Sequence, residues 1–182
     1  MSVAVHHVVD GPPDAPTVVL SSSLGATHAM WERQVPALTP HFRVVRYDTR
    51  GHGRSPVVPG PLTIEDLAED VVALLDRLEV ERAHVVGLSL GGMTAIALAA
   101  AHPDRVDGLA LLCTSAHLPP AQGWLDRAAT VRAEGPGAVA DTVVTRWYTE
   151  AFRAAHPERA AQAVASIAVS YTHLTLPTNR EV

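Results

Sequence analysis

The 182-residue chain contains no lysine, one cysteine and one asparagine. The lone Cys113 excludes a disulfide within the chain, which suits a reducing compartment. Its place at the end of an apolar run reads as buried filler rather than as a nucleophile. All fourteen basic residues are arginines, a bias that points to a GC-rich genome. They form no cluster, and with a formal net charge of -5 the chain lacks the electrostatic footprint of a nucleic-acid or anionic-membrane binder. The longest apolar helical run, Ala95 to Ala101, is too short to span a bilayer. Met1 to His7 shows no basic segment leading into an apolar one, so no secretory leader is expected and the expected location is cytoplasmic. Internal repeats and low-complexity segments are lacking too. What remains is a chain of 47% hydrophobic content and of a length suited to one domain.

The most informative stretch is Val85 to Gly92, in which an apolar run enters Gly87-Leu88-Ser89-Leu90-Gly91 and continues into the helix-forming segment Met93 to Ala101. A strand, a sharp turn and a helix in that order hold a serine hydroxyl clear of the backbone. Such placement matters because serine is a weak nucleophile unless a base and oxyanion donors are close to it. Gly87 and Gly91 keep the turn free of side chains, and Gly92 lets helix and strand pack closely. A glycine-rich turn with a chance serine is the plainer alternative, and the matching flanks weigh against it.

In chain order, Val3 to Val9 alternates weakly and Thr17 to Leu20 reads as a short buried strand. The small-residue loop Ser21 to Ala26 and a helical segment from Trp31 to Leu38 come next. Phe42 to Tyr47 is another strand, followed by Asp48-Thr49-Arg50-Gly51-His52-Gly53-Arg54-Ser55. His52 and Asp48 invite a catalytic reading, but both precede Ser89, whereas a strand–Ser–helix nucleophile of this type is followed by its acid and then its histidine. His52 is therefore expected to pin its loop. Thr63 or Asp66 caps a helix whose Ile64, Leu67, Val71, Leu74, Leu75 and Leu78 share one face. Ala83 to Leu88 delivers Ser89, and Val106 to Cys113 reads as a further buried strand. Strands alternating with helices predict a doubly wound, mostly parallel α/β sheet.

From Leu118 onward the pattern is helical only, over Trp124–Ala133, Ala138–Tyr148 and Pro157 to about Ala168. The expected organisation is a core over 1–118, a helical lid over 119–169, and a tail over 170–182 that is threonine-rich and carries the single asparagine. That tail resembles translated adapter DNA, with a floppy native terminus as the alternative.

Taken together, the Ser21–Gly25 loop, the Met30-Trp31 pair, the Tyr47–Ser55 segment, Gly87–Met93 and Arg146-Trp147-Tyr148-Thr149 resemble 3-oxoadipate enol-lactonases of the α/β-hydrolase fold. The resemblance covers about Val5 to Ala168 and departs at Ser22, where that group usually has asparagine. It implies a Ser89 nucleophile, an oxyanion hole from the N–H groups of Ser23 and Leu90, and a small lactone or ester substrate. Trp147 would wall the pocket, and Arg146 or Arg132 would meet the substrate carboxylate. No metal and no organic cofactor are implied. The resemblance also implies further strands carrying an acid and a histidine, on the order of eighty residues beyond the present ones. His102, His117, His156 and His173 do not fit that position, so a poorly active fragment is expected. The alternatives are a general carboxylesterase, or a non-catalytic product associating through its sheet edge.

Overall fold

The computed structural model describes residues 2–168. Five strands, β1 (His7–Asp10), β2 (Thr17–Ser21), β3 (Arg43–Tyr47), β4 (Ala83–Leu88) and β5 (Val106–Leu112), form one sheet in the order β1-β3-β2-β4-β5. β1 runs antiparallel to β3 and the remaining pairs are parallel. The interleaved helices are α1 (Val35–Leu38), α2 (Ile64–Arg77) and α3 (Leu90–Ala101). This is the α/β sheet expected from the alternation of patterns.

The period-2 geometry of strands explains the two-sided core. Val19, Val45 and Val85 face α2 and α3, where they meet Val71, Leu74, Leu75 and Leu98. Their neighbours Val18, Leu20 and Val44 face the opposite way, against Trp31, Met30 and Leu38. α2 starts at a reciprocal cap: the Thr63 hydroxyl accepts the Asp66 N–H at 3.1 Å and the Asp66 carboxylate accepts the Thr63 N–H at 3.0 Å.

Three features differ from expectation. Trp31 to Leu38 is not one helix: a 3-10 turn over His28–Trp31 is followed by the single turn of α1, with Pro36 in its first turn. β5 is apolar as expected but not buried, with Leu109 and Leu111 both more than two-fifths exposed. Among the described residues it pairs with β4 alone, so composition supplied the strand and no neighbour supplied the cover. Cys113 is likewise exposed, in a left-handed turn with φ of 46° just past that strand.

Beyond β5 come four helices, α4 (Ala121–Glu134), α5 (Gly137–Trp147), α6 (Glu150–Ala155) and α7 (Pro157–Ala168). α5 and α7 share a small core of Ala140, Val143, Val144 and Ile167. The six-residue α6 escaped the sequence reading. The expected tail over 170–182, with His173, lies outside the described residues.

Candidate active site

Parallel pairing of β2 with β4 sets Ser21 beside Gly87, so both strands end at the same level. β2 connects to β3 on one side and β4 lies on the other, which makes this the point where strand order reverses. In open α/β sheets the crevice outside such strand ends is where ligands bind.

Ser89 sits in that crevice, between β4 and α3, with φ of 52° and ψ of -113°. A non-glycine residue holds such a conformation only when its surroundings enforce it. Here they do so through hydrogen bonds: the Ser89 N–H donates to the Leu112 carbonyl at 2.9 Å, and its own carbonyl accepts the Thr114 hydroxyl at 2.7 Å. The glycines explain how the turn fits. A Cβ on Gly91 would strike the Ser21 carbonyl and stand 2.8 Å from the Ser21 Oγ, and one on Gly92 would stand 2.6 Å from the Thr114 Cβ.

The Ser89 hydroxyl is half-buried and makes no hydrogen bond among the described residues. Among the described residues, none of the histidines weighed in the sequence partners it. His102 pairs with Glu69 at 2.7 Å, His156 lies beside Phe152 with rings 4.7 Å apart, and His117 sits in an exposed loop. His52 is buried and fully engaged: its Nε2 accepts the Gly25 N–H at 2.9 Å, and its Nδ1–H donates to the Arg50 carbonyl at 3.1 Å, in the tautomer those partners demand. Burial pushes its pKa down, partly opposed by the Arg50 carbonyl and the Asp48 charge. His52 thus ties the loop after β3 to the loop after β2.

Ser23 is buried in that second loop and Leu90 is buried at the first position of α3. Neither backbone N–H has a hydrogen-bond partner among the described residues. Beneath them the Ser21 hydroxyl and the Tyr47 phenol share a hydrogen bond of 2.6 Å. Burial pushes the Tyr47 pKa up to about 12, so the phenol stays neutral.

Arg146 and Trp147 both stand near the end of α5 but point into different surroundings. Trp147 packs against the small core between α5 and α7. Arg146 borders a cavity of about 380 Å³ between α4 and α5, lined also by Pro120, Trp124, Arg127 and Val139. Ser89 is not among its lining residues. Arg127 lies over the Trp124 ring at 5.9 Å, and its pKa is lowered by burial and by the charge of Arg146. Arg132 is exposed.

Sequence reasoning missed Asp70, His6 and His28. Asp70 is buried on the apolar face of α2, where it receives Arg50 at 2.5 Å and 2.6 Å. His6 and His28 both meet Asp48. No local motif marks these groups, since their partners lie 20 to 42 positions away.

A serine in a left-handed elbow, set between a parallel strand and a helix at the switch point of the sheet, defines an α/β hydrolase. The chain belongs to that family, matching the alpha/beta hydrolase fold over residues 16–149. Within it, the chain is 39% identical to 3-oxoadipate enol-lactonase 1 of Acinetobacter baylyi over 160 residues, 88% of this chain and 60% of the relative. The enol-lactonase of Burkholderia xenovorans LB400 superposes with a TM-score of 0.90 at 44% identity, over 93% of this chain and 66% of that one. A thermophilic esterase from Thermogutta terrifontis gives 0.87 at 31% identity, over 94% and 64%. The chain therefore spans about three-fifths of the curated relatives' length. Among the described residues no helix is long and apolar enough to cross a membrane.

Proposed function

We propose that Ser89 is the nucleophile of a carboxylic ester or lactone hydrolase whose preferred substrate is 3-oxoadipate enol-lactone, an intermediate of aromatic catabolism. The observation that carries the reading is the φ of 52° that lifts Ser89 out of the strand-to-helix turn. Support for an oxyanion hole comes from the N–H groups of Ser23, in the loop after β2, and Leu90, at the start of α3, which have no partner among the described residues. Support for the substrate comes from the likeness to enol-lactonases, at 39% and 44% identity. In this scheme the Ser89 oxygen attacks the lactone carbonyl, the ring C–O bond breaks, and the released enol takes up a proton to become a ketone. Water then cleaves the acyl-enzyme to give 3-oxoadipate. The helices α4 to α7 act as a lid. The likeness to enol-lactonases alone supports Trp147 as pocket wall and Arg146 as partner of the substrate carboxylate, since Trp147 packs in the α5–α7 core and the cavity beside Arg146 is not lined by Ser89. The chemistry calls for no cofactor, and the lone cysteine supports a reducing, cytoplasmic location.

Among the described residues no base meets the Ser89 hydroxyl. Residual acceleration from oxyanion binding alone is about 10³- to 10⁴-fold over water in related triads. Imidazole added to the buffer supplies a base that no described residue brings to Ser89, and this gives a direct test. Enol-lactone hydrolysis by the wild-type chain should rise with imidazole concentration well beyond the rise in Ser89→Ala, and kcat/KM for the enol-lactone should exceed that for p-nitrophenyl acetate. An equal rise in both proteins removes Ser89 as nucleophile. A preference for p-nitrophenyl acetate replaces the lactonase with a general esterase.

A further inference from the structure

Away from the elbow, three side chains from three segments converge on one point. Asp48, at the end of β3, is fully buried, and each oxygen of its carboxylate is held from the backbone. Oδ1 accepts the His28 N–H at 2.8 Å and Oδ2 accepts the Arg54 N–H at 3.0 Å. Burial alone would raise the pKa of this carboxyl, but those two N–H groups and the His28 ring outweigh it and hold the group ionised below the usual carboxylate range. The two imidazoles approach from either side. His28 Nδ1 lies 2.9 Å from Oδ1 and His6 Nδ1 lies 3.1 Å from Oδ2, with the ring centres 5.2 Å apart.

Both rings are set by their backbones. His28 opens the 3-10 turn that leads to the buried Trp31. The His6 N–H donates to the Ser55 hydroxyl at 2.8 Å, and its carbonyl accepts the Asp48 N–H at 2.9 Å. Each ring keeps about a fifth of its side-chain surface in solvent, at 21%, so an ion has a path in.

We propose that His6, His28 and Asp48 form a binding site for a divalent transition ion of the zinc class, structural rather than catalytic, which ties the start of β1 and the turn after the Ser21–Ala26 loop to the end of β3. One ligand atom from each residue lies within 4.8 Å of the others, and no other such trio occurs among the described residues. Tetrahedral zinc with bonds of about 2.0–2.1 Å places its ligand atoms roughly 3.3 Å apart. The present 2.9 Å and 3.1 Å spacings run to different oxygens of Asp48 and need a few tenths of an ångström of opening, while the histidine ligand atoms, within 4.8 Å of each other, have to close toward the same spacing. Two imidazoles and a carboxylate suit zinc better than calcium or magnesium. The backbone N–H groups of His28 and Arg54 would keep orienting the carboxylate behind the metal, as outer-shell donors do elsewhere. Hydrogen bonding of each Nδ1–H to Asp48 is the metal-free arrangement of the same groups. A ring that carries its single proton at Nδ1 gives it up on binding and takes one at Nε2, and that exchange balances without net proton release.

The test uses the tag-free 182-residue chain, stripped with chelator and titrated with zinc chloride. One zinc per chain is expected, together with a Tm that climbs with zinc concentration. His6→Ala and His28→Ala should each weaken binding by more than the ~100-fold that outer-shell changes reach, while the exposed His41→Ala leaves it unchanged. Cobalt(II) should give the intense visible bands of a four-coordinate N/O site. Zinc affinity unaltered in both alanine variants overturns the proposal. So does the pale spectrum of six-coordinate cobalt on the wild-type chain, a result independent of whether any variant folds.

Discussion

At the scale of single residues, the elbow shows why glycine is required at positions that do no chemistry. Gly91 has φ in the helical range, so conformational freedom is not its reason. Close approach is: the Ser21 carbonyl occupies the place its Cβ would take, with the Ser21 Oγ 2.8 Å away. Gly91→Ala should therefore cost about 1–3 kcal/mol through overpacking against backbone that cannot yield. Gly123, inside α4, has nothing within 4 Å of its would-be Cβ, and Gly123→Ala should stabilise by up to about 1 kcal/mol through helix propensity. Urea midpoints of the two variants at constant m provide the check. Equal midpoints would mean that the elbow relaxes freely around a methyl group. The motif around Ser89 was legible because all its parts lie within six residues of sequence from Gly87 to Gly92. The Asp48 cluster was not, because His6 stands 42 positions from its carboxylate and no short pattern links them.

At the scale of elements, α2 is the clearest case of sequence determining structure, with one exception on its buried face. Ile64, Leu67, Val71, Leu74 and Leu75 are buried, as their 3–4 spacing predicts. Asp70 is buried beside them and is tolerated because Arg50 meets both its oxygens, while the Val3 N–H donates to Oδ1 at 2.7 Å. Periodicity alone would have put a carboxylate in solvent. The start of the helix was also readable, since threonine followed three residues later by aspartate supplies both halves of the cap. Removing one half by Thr63→Ala should lower stability by about 1 kcal/mol and leave any zinc affinity unchanged, because the cap lies on an exposed helix end. Thermal melts with and without zinc would separate the two effects. A loss below a few tenths of a kcal/mol would show that water replaces the cap at little cost. β5 teaches the converse lesson. Its apolar composition identified a strand, but burial depends on a neighbouring strand that composition cannot announce, and Leu109, Leu111 and Leu112 lie open.

For the whole molecule, three buried titratable groups at the end of β3 and in the loop after it bear on the pH range in which the sheet holds together. His52 and Asp48 have folded pKa values below their ordinary ones, so each contributes stability that is complete above its unfolded pKa and lost as pH falls through the folded value. For His52 that loss begins near pH 6.5, as the unfolded chain starts to take up a proton that the buried ring refuses. For Asp48 it begins near pH 4, as the unfolded chain starts to take up a proton that the folded carboxylate, held by the His28 and Arg54 N–H groups, refuses. Tyr47 acts at the other end. Its pKa is raised from 10.0 to about 12, so above pH 10 the unfolded chain releases a proton that the folded phenol keeps, and stability falls with rising pH until about pH 12. The expected Tm profile is a plateau between about pH 7 and 9.5 with an acid limb in two stages and a separate alkaline limb. Tyr47→Phe lowers the plateau by losing the 2.6 Å bond to Ser21 but should flatten the alkaline limb. His52→Gln should flatten the first acid stage while leaving the second in place. An alkaline limb of unchanged slope in Tyr47→Phe would assign that loss to groups other than Tyr47. An unchanged first acid stage in His52→Gln would move the acid sensitivity to the exposed histidines and away from the bridge between the two loops that flank Ser89.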